Sequence, residues 1–296
     1  MVDAVIAVLL LVLASSSSPI LACSIDELYF NVINCGATGD GGTDDSQAFV
    51  EAWDAACTSS LESATLYVPP ETIFLVHPLI FHGPCNPPII NFLILGTMVA
   101  PESPSSWDER DASQWMAFMN IDGLNIDGYG VVDGKGKSWW DQSCRNHPLL
   151  ENCTTLAPTA WKFLGCNDSS VRNVKFMNSA QTHVAVKGCN DFIIENVIIE
   201  SPENSPNTDG IHIQSSHHLL ITNSTIACGD DCISIGDYIS DMEISNIQCG
   251  VWTWSWNQHW KFRKRRKLCT SGKHSNKQCH LQRNFQRSSD QNMAGN

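Results

Sequence analysis

Short apolar stretches recur along the middle of the chain at a nearly constant interval. Residues 171–176, 192–199, 219–226 and 242–247 are each built largely of residues that suit strands, and each holds one asparagine: Asn173, Asn196, Asn223 and Asn246. The asparagines stand 23, 27 and 23 residues apart. A second series, 183–186, 211–213 and 233–235, follows the first at a similar period. Helical spacing is absent from this region, so the pattern predicts several short strands per repeat, stacked coil on coil. Asparagines at one turn of such a stack can bond along its axis and satisfy backbone groups that the bend leaves unpaired. A leucine-rich repeat also places Asn periodically, but it needs a regular leucine spacing that this chain lacks. The fold expected is therefore all-β: a right-handed parallel β-helix, a solenoid forming a single domain. Residues 120–134, with Gly123, Gly128, Gly130 and Gly134, read as earlier coils that turn at glycines. Residues 44–56 have helical spacing and predict a short N-terminal capping helix over the open end, where strand edges would otherwise lie unpaired.

The two ends differ from this middle. Residues 4–14 are apolar, serines follow at 15–18, and then come Pro19 and the small Ala22, which is how a secretory signal ends. The run of about 11 apolar residues is shorter than the roughly 20 that span a bilayer, so 1–22 reads as a signal peptide rather than an anchor. At the other end, residues 251–296 hold ten of the eighteen Lys and Arg and one of the thirty-one acids. That segment carries net +9 and leaves residues 1–250 at −22. So sharp a split marks 251–296 as a basic Trp-rich tail of different origin from the β-helix domain over 23–250.

Thirteen cysteines in 296 residues fit export with several disulfides and an odd thiol left over. Cys228 and Cys232 have three residues between them, and zinc is the rival reading. No second Cys or His pair stands at finger spacing, so a short Cys228–Cys232 disulfide loop is expected instead. Glycosylation sequons begin at Asn152, Asn167 and Asn223.

The chemistry lies in two acidic motifs. Residues 205–210 contain Asn207-Thr-Asp-Gly210, and residues 228–232 read Cys-Gly-Asp-Asp-Cys. Asp230 lies 21 residues beyond Asp209 and Asp231 lies 22 beyond it, close to one coil. Residues one repeat apart in a solenoid share a face, so the three carboxyls are expected to converge. Clustered acids raise one another's pKa, which lets one stay protonated as general acid while another is ionised as base. Glycoside cleavage requires such a pair. Either motif alone reads as a simple turn, and three acids could also hold calcium. The coil spacing favours the paired acids.

With the Asp-Gly-x-Gly beginning at Asp127 and the aspartate-rich segment 36–45, these motifs resemble the plant polygalacturonases over about residues 28–250. The resemblance implies hydrolysis of α-1,4-linked galacturonic acid with inversion and without metal or cofactor. By position, Asp230 corresponds to the group that protonates the leaving oxygen, and Asp209 with Asp231 to those that hold and activate water. Asn207, His183 and Gln181 are the candidate substrate-binding residues. The implied partner is pectin or polygalacturonate in the cell wall, met by a secreted, extracellular monomer. Neither nucleic acid nor, after signal cleavage, membrane is an expected partner. A pectate lyase, which uses calcium, and a catalytically dead wall-polysaccharide binder are the alternatives.

The chain departs from the family after Gly250. Two further motifs, a Gly-His-Gly supplying a catalytic histidine and an Arg-Ile-Lys gripping the substrate carboxylate, are absent from the sequence. Tryptophan has the single codon TGG, so reading one nucleotide later makes Trp252, Trp254, Trp256 and Trp260 glycine. The shifted codons permit Gly-Pro-Gly-His-Gly-Ile-Ser-Ile-Gly-Ser-Leu, which resembles the family's histidine motif. Residues 251–296 are thus expected to be an out-of-frame reading, which leaves the catalytic domain incomplete at its C-terminal end. The competing reading is a tail that binds anionic polymer. Without the last motifs, the literal chain is expected to be weakly active or inactive.

Overall fold

The computed structural model describes residues 29–107, 113–144, 147–151, 153–154 and 156–250, together with Cys23. The expected signal at 1–22, the tail at 251–296 and the sequon residue Asn152 lie outside these. Among the described residues, no helix is long and apolar enough to cross a membrane.

The periodic stretches form a parallel β-helix with three strands in most coils. One face stacks Ser63–Val68, Ile89–Ile94, Leu124–Asp127, Ser169–Arg172 and Asn190–Glu195. The next face stacks Ile73–Leu75, Thr97–Val99, Val131–Asp133, Lys175–Met177 and Ile198–Glu200. Two longer strands, His217–Ala227 and Ser240–Cys249, run through the corner between these faces and join them in one fourteen-stranded sheet. The third face is a separate six-stranded sheet running from Leu79–His82 to Ile211–Gln214 and Ile233–Ile235. Successive strands in a face lie about 4.8 Å apart, the spacing of any hydrogen-bonded sheet.

Each periodic asparagine marks a corner. Asn173, Asn196, Asn223 and Asn246 have φ of 60, 55, 51 and 53°, the left-handed region that Asn tolerates better than most residues. Asn196 donates through Nδ2 to Asn173 Oδ1 at 2.5 Å, Asn246 donates to Asn223 Oδ1 at 3.1 Å, and Asn173 donates to Asp127 Oδ1 at 2.7 Å. The ladder breaks once: Asn223 turns to Glu195 Oε1 at 3.5 Å instead of bonding to Asn196. The sequon residue Asn167 is engaged similarly, donating to Asp122 and accepting from Asn190.

Alternate strand residues point inward, as the burial of Ala64, Leu66 and Val68 shows. Phe92, Phe118, Trp161, Phe163 and Phe192 fill the axis, with neighbouring rings 5.0–6.1 Å apart. Burying one such side chain is worth about 2–3 kcal/mol. The helix expected at the N-terminus is present as Ser46–Thr58. Its Phe49 and Trp53 pack against Phe74 and Phe81, so the helix covers the core as its apolar spacing requires. The aspartate-rich segment before it serves the fold: Asp45 accepts from the N–H groups of Thr38 and Gly39, while burial raises its pKa.

The disulfides among the described residues are Cys23–Cys35, Cys57–Cys85, Cys144–Cys153 and Cys232–Cys249, and Cys166, Cys189 and Cys228 are buried thiols. This corrects the expected Cys228–Cys232 loop. Cys249 takes the register position of Ile226 one coil later, a column that faces the core, and bonds there with Cys232 across a Cα–Cα distance of 6.0 Å. The Cys228 thiol is directed at the carbonyls of Asp230 and Asp231.

Candidate active site

The third face brings the acids together. Ile211 pairs with Ile233, and the ladder continues upstream, where Gly210 N–H donates to the Asp231 carbonyl at 2.9 Å. Two residues before the paired isoleucines stand Asp209 and Asp231, which therefore occupy the same position on adjacent coils. Asp230 precedes Asp231 and accepts its N–H through Oδ1 at 3.1 Å. Asp209 and Asp230 are half-buried and Asp231 is buried.

Cys228 registers the convergence from below. Burial pushes its thiol up to about 12, and the negative charges of Asp209 and Asp230 both add to that rise. Carboxylates from two coils thus both bear on one buried group.

The loop carrying Asp230 is held by small hydroxyls that the sequence reading passed over. Thr208, fully buried, accepts the Gly229 N–H through Oγ1 at 2.9 Å and shares a 2.6 Å hydrogen bond with the Ser205 hydroxyl. Gly229 comes so close to this support that a Cβ there would lie 2.1 Å from the Ser205 carbonyl oxygen. Glycine is required at this contact. The signal was present as a Ser and a Thr three residues apart just before Asp209, but its meaning needs the neighbouring coil.

Of the three candidate substrate-binding residues, Asn207 and Gln181 are half-buried on the segments leading into the third face, Asn207 with a left-handed φ of 55°. His183 does not belong with them. Its relative exposure is 0 %, so no substrate reaches it. The strand begins at a bend, and there the imidazole turns inward. Its Nδ1 lies 3.0 Å from the Asp209 carbonyl and its Nε2 lies 2.8 Å from the Ser201 hydroxyl. Burial lowers its pKa to about 4, against the opposing pull of the Asp209 and Glu200 carbonyls. Among the described residues, no three His, Cys, Asp or Glu side chains are arranged to hold a metal ion.

The arrangement can deliver a proton from one carboxyl while adjacent carboxylates bind water, which is acid–base chemistry at a single linkage. The polygalacturonase of Malus domestica is 38% identical over 238 residues, 80% of this chain and 49% of the relative. Polygalacturonase QRT2 of Arabidopsis thaliana is 39% identical over 221 residues, 75% of this chain and 49% of the relative. The chain spans about half the length of the curated relatives it matches. Among solved structures, the exopolygalacturonase of Thermotoga maritima superposes with a TM-score of 0.59 at 21% identity, covering 76% of this chain and 66% of that one. The endo-xylogalacturonan hydrolase of Aspergillus tubingensis gives 0.60 at 22% identity, covering 72% and 56%. These likenesses show the parallel β-helix fold. The model of glycosyl hydrolases family 28 matches residues 57–251, and the chain belongs to that family.

Proposed function

We propose that the site hydrolyses α-1,4-galacturonosyl linkages of pectin with inversion, in a protein exported to the cell wall. The observation that carries this reading is the register of Asp209 with Asp231 on adjacent coils, with Asp230 beside them. Asp230 gives its proton to the glycosidic oxygen as the bond to the anomeric carbon breaks. Asp209 and Asp231 orient a water and take its proton as that water attacks from the opposite face. Inversion needs opposing carboxyls about 6.5–9.5 Å apart to admit the water. One coil and one residue separate Asp230 from Asp209, a backbone offset of about 6 Å, and side-chain reach supplies the rest.

The substrate is a polyanion and residues 1–250 are strongly acidic, so attraction must come from local bases. The Arg-Ile-Lys of the family is absent from the sequence, and turnover by this chain is expected to fall well below that of a full-length relative. The test is release of reducing ends from polygalacturonate by the purified chain and by its Asp230→Asn variant. A low rate that falls a further ~10²–10⁴-fold in the variant is expected for loss of a general acid. Activity that survives Asp230→Asn would overturn the reading, and turnover matching a full-length relative would overturn the expected impairment. An unsaturated product abolished by chelator would replace hydrolase by lyase.

A further inference from the structure

His183 makes more contacts with the acid site than the fold requires. Its backbone N–H already supplies the sheet rung, donating to the Asp209 carbonyl at 2.9 Å. The ring adds a second approach to the same oxygen through Nδ1 at 3.0 Å. On its other side Nε2 meets the Ser201 hydroxyl at 2.8 Å and the Ser179 N–H at 3.4 Å. A backbone N–H can only donate, so Nε2 is the acceptor and the ring proton sits on Nδ1, aimed at Asp209. Two donors then converge on one carbonyl oxygen, using both of its lone pairs.

The register shows that this contact belongs to one coil. Trp161, Val184, Ile211 and Ile233 form one column on the third face. The residues immediately before them are Ala160, His183, Gly210 and Cys232. Among these four, the coil stacked against Asp209 alone brings a ring to this position; one coil further up the column, where Met116 pairs with Trp161, the ring is Trp115, which donates to the Val76 carbonyl.

We propose that His183 is a positioning residue for Asp209: from inside the coil its imidazole clamps the Asp209 carbonyl and so fixes where that carboxylate stands relative to Asp231. The inference rests on the catalytic reading of Asp209 given above. Asn207, two residues earlier, is in the left-handed region, and the clamp follows this turn directly. A displacement of about 1 Å at a reacting group can cost about 10²-fold in rate.

Two isosteres separate positioning from bulk stability. Asn at 183 places an amide N–H near the Nδ1 position and keeps the donor to Asp209. Gln places its amide near Nε2 and loses that donor. Both leave part of the buried network unpaired, so thermal melts should show comparable destabilisation. His183→Asn is expected to keep kcat within about threefold, and His183→Gln to lose about 10²-fold in kcat with KM unchanged. Equal kcat losses in the two variants, tracking their melting temperatures, would reduce His183 to a structural residue. A second arm needs no turnover: ¹⁵N NMR of the imidazole at neutral pH should show a protonated Nδ1 and a bare Nε2. A protonated Nε2 overturns the clamp even if hydrolysis is observed. A chain that releases no reducing ends while showing the protonated Nδ1 leaves the clamp standing and takes away the support for a catalytic Asp209.

Discussion

His183 is neutral and enclosed in the folded protein, with its pKa lowered by burial to about 4, whereas an unfolded chain exposes it near the ordinary 6.5. As pH falls through 6.5 the unfolded state takes up the proton first, so stability declines from about pH 6.5 and the loss is complete once pH passes below about 4. The difference corresponds to about 3 kcal/mol. Urea melts at pH 7 and pH 4 should show this as extra acid sensitivity in the wild type relative to His183→Asn, which carries no titrating ring. An identical pH dependence in the two proteins would mean that the imidazole is not buried as described. At this scale the sequence was a partial guide. The adjacency of Asp209 to Asp231 was legible because it follows from a spacing. The direction of His183 was not, because a bend interrupts the alternation that tells inward from outward along a strand.

The strand Ser240–Cys249 depends on its disulfide as well as on its neighbour. Its residues Met242, Ile244 and Ile247 are only partly buried, so it gains less from the core than the strands above it. Cys232–Cys249 closes a span of 17 residues, a constraint worth about 3 kcal/mol where the native geometry accepts it. It also ties this strand to the segment that presents Asp230 and Asp231. Non-reducing peptide mapping should find Cys232 linked to Cys249, and Cys228 alkylated only after denaturation. A Cys228–Cys232 peptide would contradict the pairing. The closely spaced cysteines invite that pairing from sequence, yet the partner that faces the same interior arrives a coil later. The asparagine ladder forms as the repeat spacing requires. Its one interruption, at Asn223 and Glu195, falls where the repeat lengthens from 23 to 27 residues, although Asn223 stays in register with Asn196.

The described residues form a stack in which each coil packs on its neighbours, so similarity and stability can be followed along one axis. The family match stops at residue 251, immediately after Gly250 and at the start of the basic tail. An out-of-frame origin for 251–296 predicts that the transcript across codon 250 supports a frame shifted by one nucleotide, restoring the glycine–histidine motif. A single uninterrupted message in the present frame, with no shifted alternative, would reject it. What the sequence determined by itself was whatever depends on distance along the chain: the repeat length, the asparagine corners, the capping helix and the coil spacing of Asp209 from Asp230 and Asp231. In a solenoid that distance converts directly into adjacency in space. Only the tertiary structure decided which cysteine meets Cys249, how Thr208 supports Gly229, and that His183 faces the core rather than the substrate. Each of these depends on the orientation of a side chain at a bend and on what the next coil places opposite it, and neither is encoded in a local spacing.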